Sequence, residues 1–277
     1  MHFDFNFSAG QILWTLTFAG LLVLLVVLLG RDRARRFQWF TVSIVLTALR
    51  LVASRLLFGK MAPVVSSEIF LVLALVAAIV SLLVVVEMAR RAFSSAGRLV
   101  WINGTMAMLV IGAAVLLFWG PWPSAKTLFA GSTLGMLRLI QLIAQKIETL
   151  ADLLVIQLCV VIVLFGSRFH AGWRSHVQRI VIGLSTCAIA QLAVRIILQA
   201  IATHTAIRQQ SEYARVMALQ ERFFNAEGAV FVAVIVWWIV CLWMEEPGAK
   251  TAAAPHELSA AGEDKGSREE PSSADTQ

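Results

Sequence analysis

The residues of this chain whose types and spacing could do chemistry are Arg138, Gln141, Gln145, Glu148 and Asp152, within the run Met136–Gly166. Counted from the first, they stand at offsets of 0, 3, 7, 10 and 14. At about 100° per residue they share an arc of roughly 80° on one helix face. The second half of the same run is apolar enough to sit in lipid. A helix that enters a bilayer with one polar side needs polar partners on that side.

Two further stretches offer such partners. Arg50 shares an arc of about 60° with Ser43, Thr47 and Ser54. Gln191, Arg195 and Gln199 form a matching stripe between residues 177 and 202. Glu148 and Asp152 are like charges at i, i+4, so cations are expected close to them. The chemistry on offer is ionic recognition rather than bond breaking. There is no HExxH, no glycine-rich phosphate loop and no GxSxG, and Gly131-Ser-Thr-Leu-Gly135 has the wrong spacing for the last. No catalytic residues are assigned, and the chain is not read as an enzyme.

Nor is a cofactor or metal expected. Cys159, Cys187 and Cys241 all fall inside apolar segments without ligand spacing, and read as small core residues. His2, His170, His176, His204 and His256 lie in loops or termini, which excludes a haem held by paired intramembrane histidines.

The elements that must position these side chains follow from composition. Of 277 residues, 59% are apolar and only 14% charged, more apolar side chain than a soluble domain of this length needs. The fold class is all-α: a polytopic membrane protein with seven spans, near residues 12–29, 37–57, 69–88, 99–119, 136–166, 177–202 and 229–243. Arg31–Arg36, then Arg90, Arg91 and Arg98, then Arg168 and Arg174 mark one side as cytoplasmic, leaving the N-terminus outside and the C-terminus inside. The GPWP turn at 120–123 carries tryptophan at interface depth. The segment 203–228 mixes charge and apolar residues at helical spacing and reads as helix extending span six or seven beyond the membrane.

The membrane domain therefore covers 1–246, and 247–277 is an acidic, disordered cytoplasmic tail. From Glu245 onward eight acidic and three basic residues give the tail a net −5, so the body holds +11 of the overall +6. A positive body fits contact with anionic lipid headgroups. The arginines are scattered among loops and spans, which speaks against nucleic acid. Expected partners are membrane lipid, a small anionic or polar ligand, and a cytoplasmic protein reached through the tail. The expected location is the plasma or inner membrane.

A shift of 140 residues lays span two on span six: Ala48, Ala53 and Arg55 meet Ala188, Ala193 and Arg195, and Gln38 meets Gln178. A shift of 159 sets Glu68 and Glu87 on Glu227 and Glu246. These matches describe a parallel duplication of three spans, one linking span and three more. That layout is similar to the architecture of PQ-loop sugar transporters and, more distantly, of microbial rhodopsins. The chain has no Pro-Gln pair and no lysine in span seven, so the residues that define those families' functions are missing.

Depth adds pairing. At 1.5 Å per residue from the cytoplasmic ends, Arg50 lies about 20 Å in and Asp152 about 21 Å in. Arg55, Arg195 and Glu148 all come out near 27 Å. Asp152 is therefore paired with Arg50, and Glu148 with Arg195 or Arg55. Three arginines against two carboxylates leave room for an anion. The expected ligand-binding set is Arg50, Arg55, Gln145, Glu148, Asp152, Gln191 and Arg195, in an outward-facing cleft between spans two, five and six. In the competing reading the same charges only lock the helices of a non-catalytic scaffold. Glu87 reads as a local surface pair with Arg90 and Arg91, and Trp237 and Trp238 as packing residues.

Overall fold

The computed structural model describes residues 9–57, 63–93, 98–118, 133–165, 176–204 and 210–244. The expectations for the GPWP turn, the 167–175 loop and the tail lie outside that set. Among the described residues the protein is all helix, in eight elements: α1 Ala9–Gly30, α2 Arg33–Arg36, α3 Gln38–Leu57, α4 Pro63–Ala92, α5 Arg98–Phe118, α6 Thr133–Phe165, α7 His176–His204 and α8 Gln210–Trp243. Six of them are long and apolar enough to cross a bilayer, which makes the chain a multi-pass membrane protein. α5 carries a shorter apolar run, Asn103–Leu116. Apolar side chains such as Val26, Val110 and Leu164 are two-thirds exposed on the outer surface, as lipid-facing positions are.

The packing partners trace a closed ring. α1 packs on α3, α3 on α4, α4 on α6, α6 on α7, α7 on α8, and α8 returns to α1. α5 stands outside the ring against α6. Since lipid is as apolar as leucine, association inside a bilayer rests on close approach and on polar ties. Glycine supplies the first. A Cβ on Gly20 would meet Ile235 Cγ2 at 2.9 Å, one on Gly112 would meet Leu150 at 3.1 Å, and one on Gly183 would collide with the Trp238 indole. Gly10 faces Asn225, Leu13 faces Gly228 and Gly20 faces Ile235, at one constant sequence offset, so α1 and α8 run parallel in fixed register.

Polar ties concentrate at one end. α1 turns through Asp32, whose φ of 52° is a left-handed conformation that aspartate tolerates, into the four-residue α2. A helix start leaves its first backbone N–H groups without partners. At α3 the N–H groups of Gln38, Trp39 and Phe40 donate to the Glu87 carboxylate of α4 at 3.0, 3.1 and 3.2 Å. Arg91 holds that carboxylate at 3.4 Å and lies 4.9 Å over the Phe37 ring. Glu87 thus does pair with Arg91, but its larger role is to cap a neighbouring helix.

The C-terminal carbonyls of α8 are met at the same end by cations. Arg33 donates to the Leu242 carbonyl and sits 3.5 Å from His176 Nδ1. Arg179 donates to the Cys241 carbonyl at 3.4 Å, and Arg31 lies 5.3 Å over Trp243. Positive charge at a helix C-terminus is where the helix dipole favours it. The long segment after residue 203 also finds its helix: from Gln210 it belongs to α8, as one element of 34 residues.

Candidate functional site

The ring encloses a cavity of about 420 Å³, bounded by α3, α4, α6, α7 and α8. That volume lies in the range of small-molecule sites. Its lining is layered. Nearest the arginine-rich end the floor is Phe40, Val84, Leu184 and Trp238, with Phe40 and Trp238 edge-to-face at 5.1 Å. Above them come Ser43, Thr47, Ser81 and Phe231. Arg50, Asp152, Gln191, Glu227 and Glu148 follow, about 18–26 Å from the helix ends at 1.5 Å per residue.

One ion-pair cluster organises the charged layer. Arg195 Nη2 donates to Glu148 Oε2 at 2.7 Å, and Nη1 donates to Thr149 Oγ1 at 2.9 Å. The Thr149 hydroxyl in turn donates to the Gln145 carbonyl at 2.8 Å, which fixes it as an acceptor for the arginine. Arg195 Nη1 is also 3.8 Å from Asp152 Oδ2, close enough for attraction but too far for a hydrogen bond. Asp152 Oδ2 is buried and, among the described residues, has no hydrogen-bond donor. Arg50 reaches the cavity from the opposite wall, where among the described residues no carboxylate comes within ion-pair distance. Glu227, from α8, is within electrostatic range of Arg195, Glu148 and Asp152.

Of the residues expected from the sequence, Arg50, Glu148, Asp152 and Gln191 line one cavity, and Arg195 binds two of them. Arg55 does not join them. Its guanidinium stacks 5.1 Å over Trp14 of α1, on the far side of α3. Gln145 contributes a backbone carbonyl to the cluster while its side chain is exposed. The expected pairing of Asp152 with Arg50 is replaced by pairing with Arg195. Depth carries no information about angle around the ring, and α4 stands between α3 and α6. Arg195 against Glu148 is the pairing that depth got right.

Glu227 is absent from the expected set, because a last span beginning at Ala229 leaves it in the outer connection. A signal existed: Phe224, Glu227, Gly228, Phe231 and Trp238 follow at offsets of 0, 3, 4, 7 and 14, one face of a helix. Its presence and the departure of Arg55 reverse the charge balance. Two arginines now face three carboxylates, so an excess of positive charge no longer argues for an anionic ligand. Among the described residues no three His, Cys, Asp or Glu side chains gather closely enough to hold a metal ion. Comparisons with protein-family models, with curated proteins and with solved structures give no match.

Proposed function

We propose that this chain is a seven-pass protein of the plasma or inner membrane that takes a small polar molecule into the ring-centre cavity and carries it across the bilayer. The observation behind this reading is the cavity itself. Charged groups of both signs, one arginine among them without an ion-pair partner among the described residues, surround a space of small-molecule size inside a ring of membrane helices. Locking helices together needs paired charges; it does not need an unpaired one beside an open volume.

The count of seven rests on direction. The C-terminal ends of α4 and α6 both belong to the arginine-rich end: Glu87 and Arg91 meet the start of α3, while Glu148 and Asp152 meet Arg195 far up α7 from His176. A return across the full height between them falls, in this reading, to α5. The arginine-rich end is then cytoplasmic, the N-terminus outside and the C-terminus inside. Within that topology α1, α3 and α4 correspond to α6, α7 and α8, with α5 as linker. The ring order agrees with a parallel three-plus-one-plus-three duplication.

A sensor is the second reading. What favours it is α8, about 51 Å long at 1.5 Å per residue against a core of roughly 30 Å, so that it projects well past the bilayer. Melting of the purified protein measured across amino acids, organic acids, amines and sugars separates these readings, together with uptake into vesicles. A carrier is stabilised by one class and moves it, and Asp152→Asn abolishes both effects. Stabilisation without uptake leaves the sensor. No stabilisation and no uptake would leave the charges as helix locks alone.

A further inference from the structure

The distribution of charge across the cavity, rather than its sum, says what kind of molecule fits. The guanidinium of Arg50, without an ion-pair partner among the described residues, enters from α3. Across the space stand Glu227 and the buried, undonated Oδ2 of Asp152, on α8 and α6. Arg195 is already engaged by Glu148 and Thr149, so it cannot fully satisfy that oxygen. One wall therefore offers a guanidinium donor and the other offers carboxylate oxygens. A ligand of one sign would satisfy one wall and aggravate the other, at short range and in a low-dielectric setting.

Below that layer the lining turns apolar and aromatic, down to Phe40 and Trp238. We infer that the cavity binds a zwitterionic amino acid with an apolar side chain. Its carboxylate rests on Arg50, its ammonium lies between Asp152 and Glu227, and its side chain points toward the Phe40–Trp238 floor. The guanidinium offers a planar fork matched to a carboxylate. The two carboxylates with the Phe231 and Trp238 rings suit an ammonium carried on an apolar body. This inference rests on the reading of the cavity as a ligand site and specifies its occupant.

The test uses the full-length protein in detergent and three probes that differ by one charged group: L-leucine, isoamylamine and 4-methylpentanoate. Calorimetric titration is expected to show leucine binding, with each truncated probe weaker by roughly 10- to 100-fold, the loss for one charge-assisted hydrogen-bonded contact. Arg50→Gln should erase the preference for leucine over isoamylamine, and Glu227→Gln should reduce the preference for leucine over 4-methylpentanoate. Because the three probes are compared on the unaltered chain, the inference does not depend on either variant folding. Isoamylamine binding as tightly as leucine would make this a cation site, and 4-methylpentanoate doing so an anion site; either overturns the inference. If all three fail while another solute stabilises the protein, the amino-acid assignment falls and the ligand site stands. If no small solute acts at all, both fall.

Discussion

Arg195 is the residue on which the charged layer turns, because two carboxylates and a hydroxyl one turn apart on α6 share its guanidinium. Removing it leaves like charges facing each other with no cation among them. Arg195→Gln should lower the stability of the folded protein by about 1–3 kcal/mol. That is less than the roughly 3–5 kcal/mol for breaking a fully buried pair, since Glu148 keeps 38% of its side chain exposed. Thermal unfolding in detergent measures this, and Glu148→Gln in the same background should recover part of the loss. At this scale the sequence was informative in a particular way. Residue type and helical offset identified Glu148, Asp152 and Arg195, because a bilayer makes every intramembrane charge conspicuous. Neither offset nor depth says which neighbouring helix a side chain faces, so Arg50 was given the wrong partner. Arg55 was taken into the site although an aromatic ring on α1 was available to it outside.

Helices here are held by their ends and by their glycines, and both make predictions. Glu87→Gln keeps the shape of the cap but removes the charge that three N–H groups of α3 and the Arg91 guanidinium share. A loss of about 1–2 kcal/mol in unfolding free energy is expected, in line with other helix caps. Gly183→Ala drives a methyl group into the Trp238 indole, with Cε2 only 2.7 Å from the new carbon. The ring is 2% exposed and rests on Phe40, so it cannot swing aside freely. The expected penalty is about 1–3 kcal/mol, with a change in tryptophan fluorescence. A charged substitution on the lipid-facing side, away from such contacts, would not produce that spectral change. Element existence was legible from apolar runs alone, since a membrane span advertises itself by length. Element ends were not. RDRARR reads as plain loop yet holds the four-residue α2, and the helical extension expected over 203–228 belongs to α8 from Gln210. Charge in 210–227 sets the expected start of the apolar span at Ala229, although one helix face continues beneath it.

For the whole molecule, the order of packing around the ring matters more than the number of helices, and the proposed pair of like-directed triplets requires α5 to cross. Reporter fusions test this directly. A phosphatase joined after Phe93 should be inactive, one joined after Thr133 active, and one joined after Met244 inactive. Equal activity at the first two would mean that α5 does not cross. Apolar periodicity carried the multi-pass class, but no pattern in one chain shows which helix lies beside which. Ring closure had to be seen. One feature of that ring reaches beyond binding. α8 is pinned at its last turn by Arg33 and Arg179, lines the cavity at Glu227, and continues to Gln210 past the point where Gly10 of α1 meets Asn225. A long helix tilting about one end moves most at the other. A tilt that displaces Glu227 by one ångström displaces Gln210 by about two, from the ratio of their distances along the helix at 1.5 Å per residue. Under the proposed ligand reading, occupancy beside Glu227 would therefore be written, magnified, at the end of α8 farthest from Arg33 and Arg179.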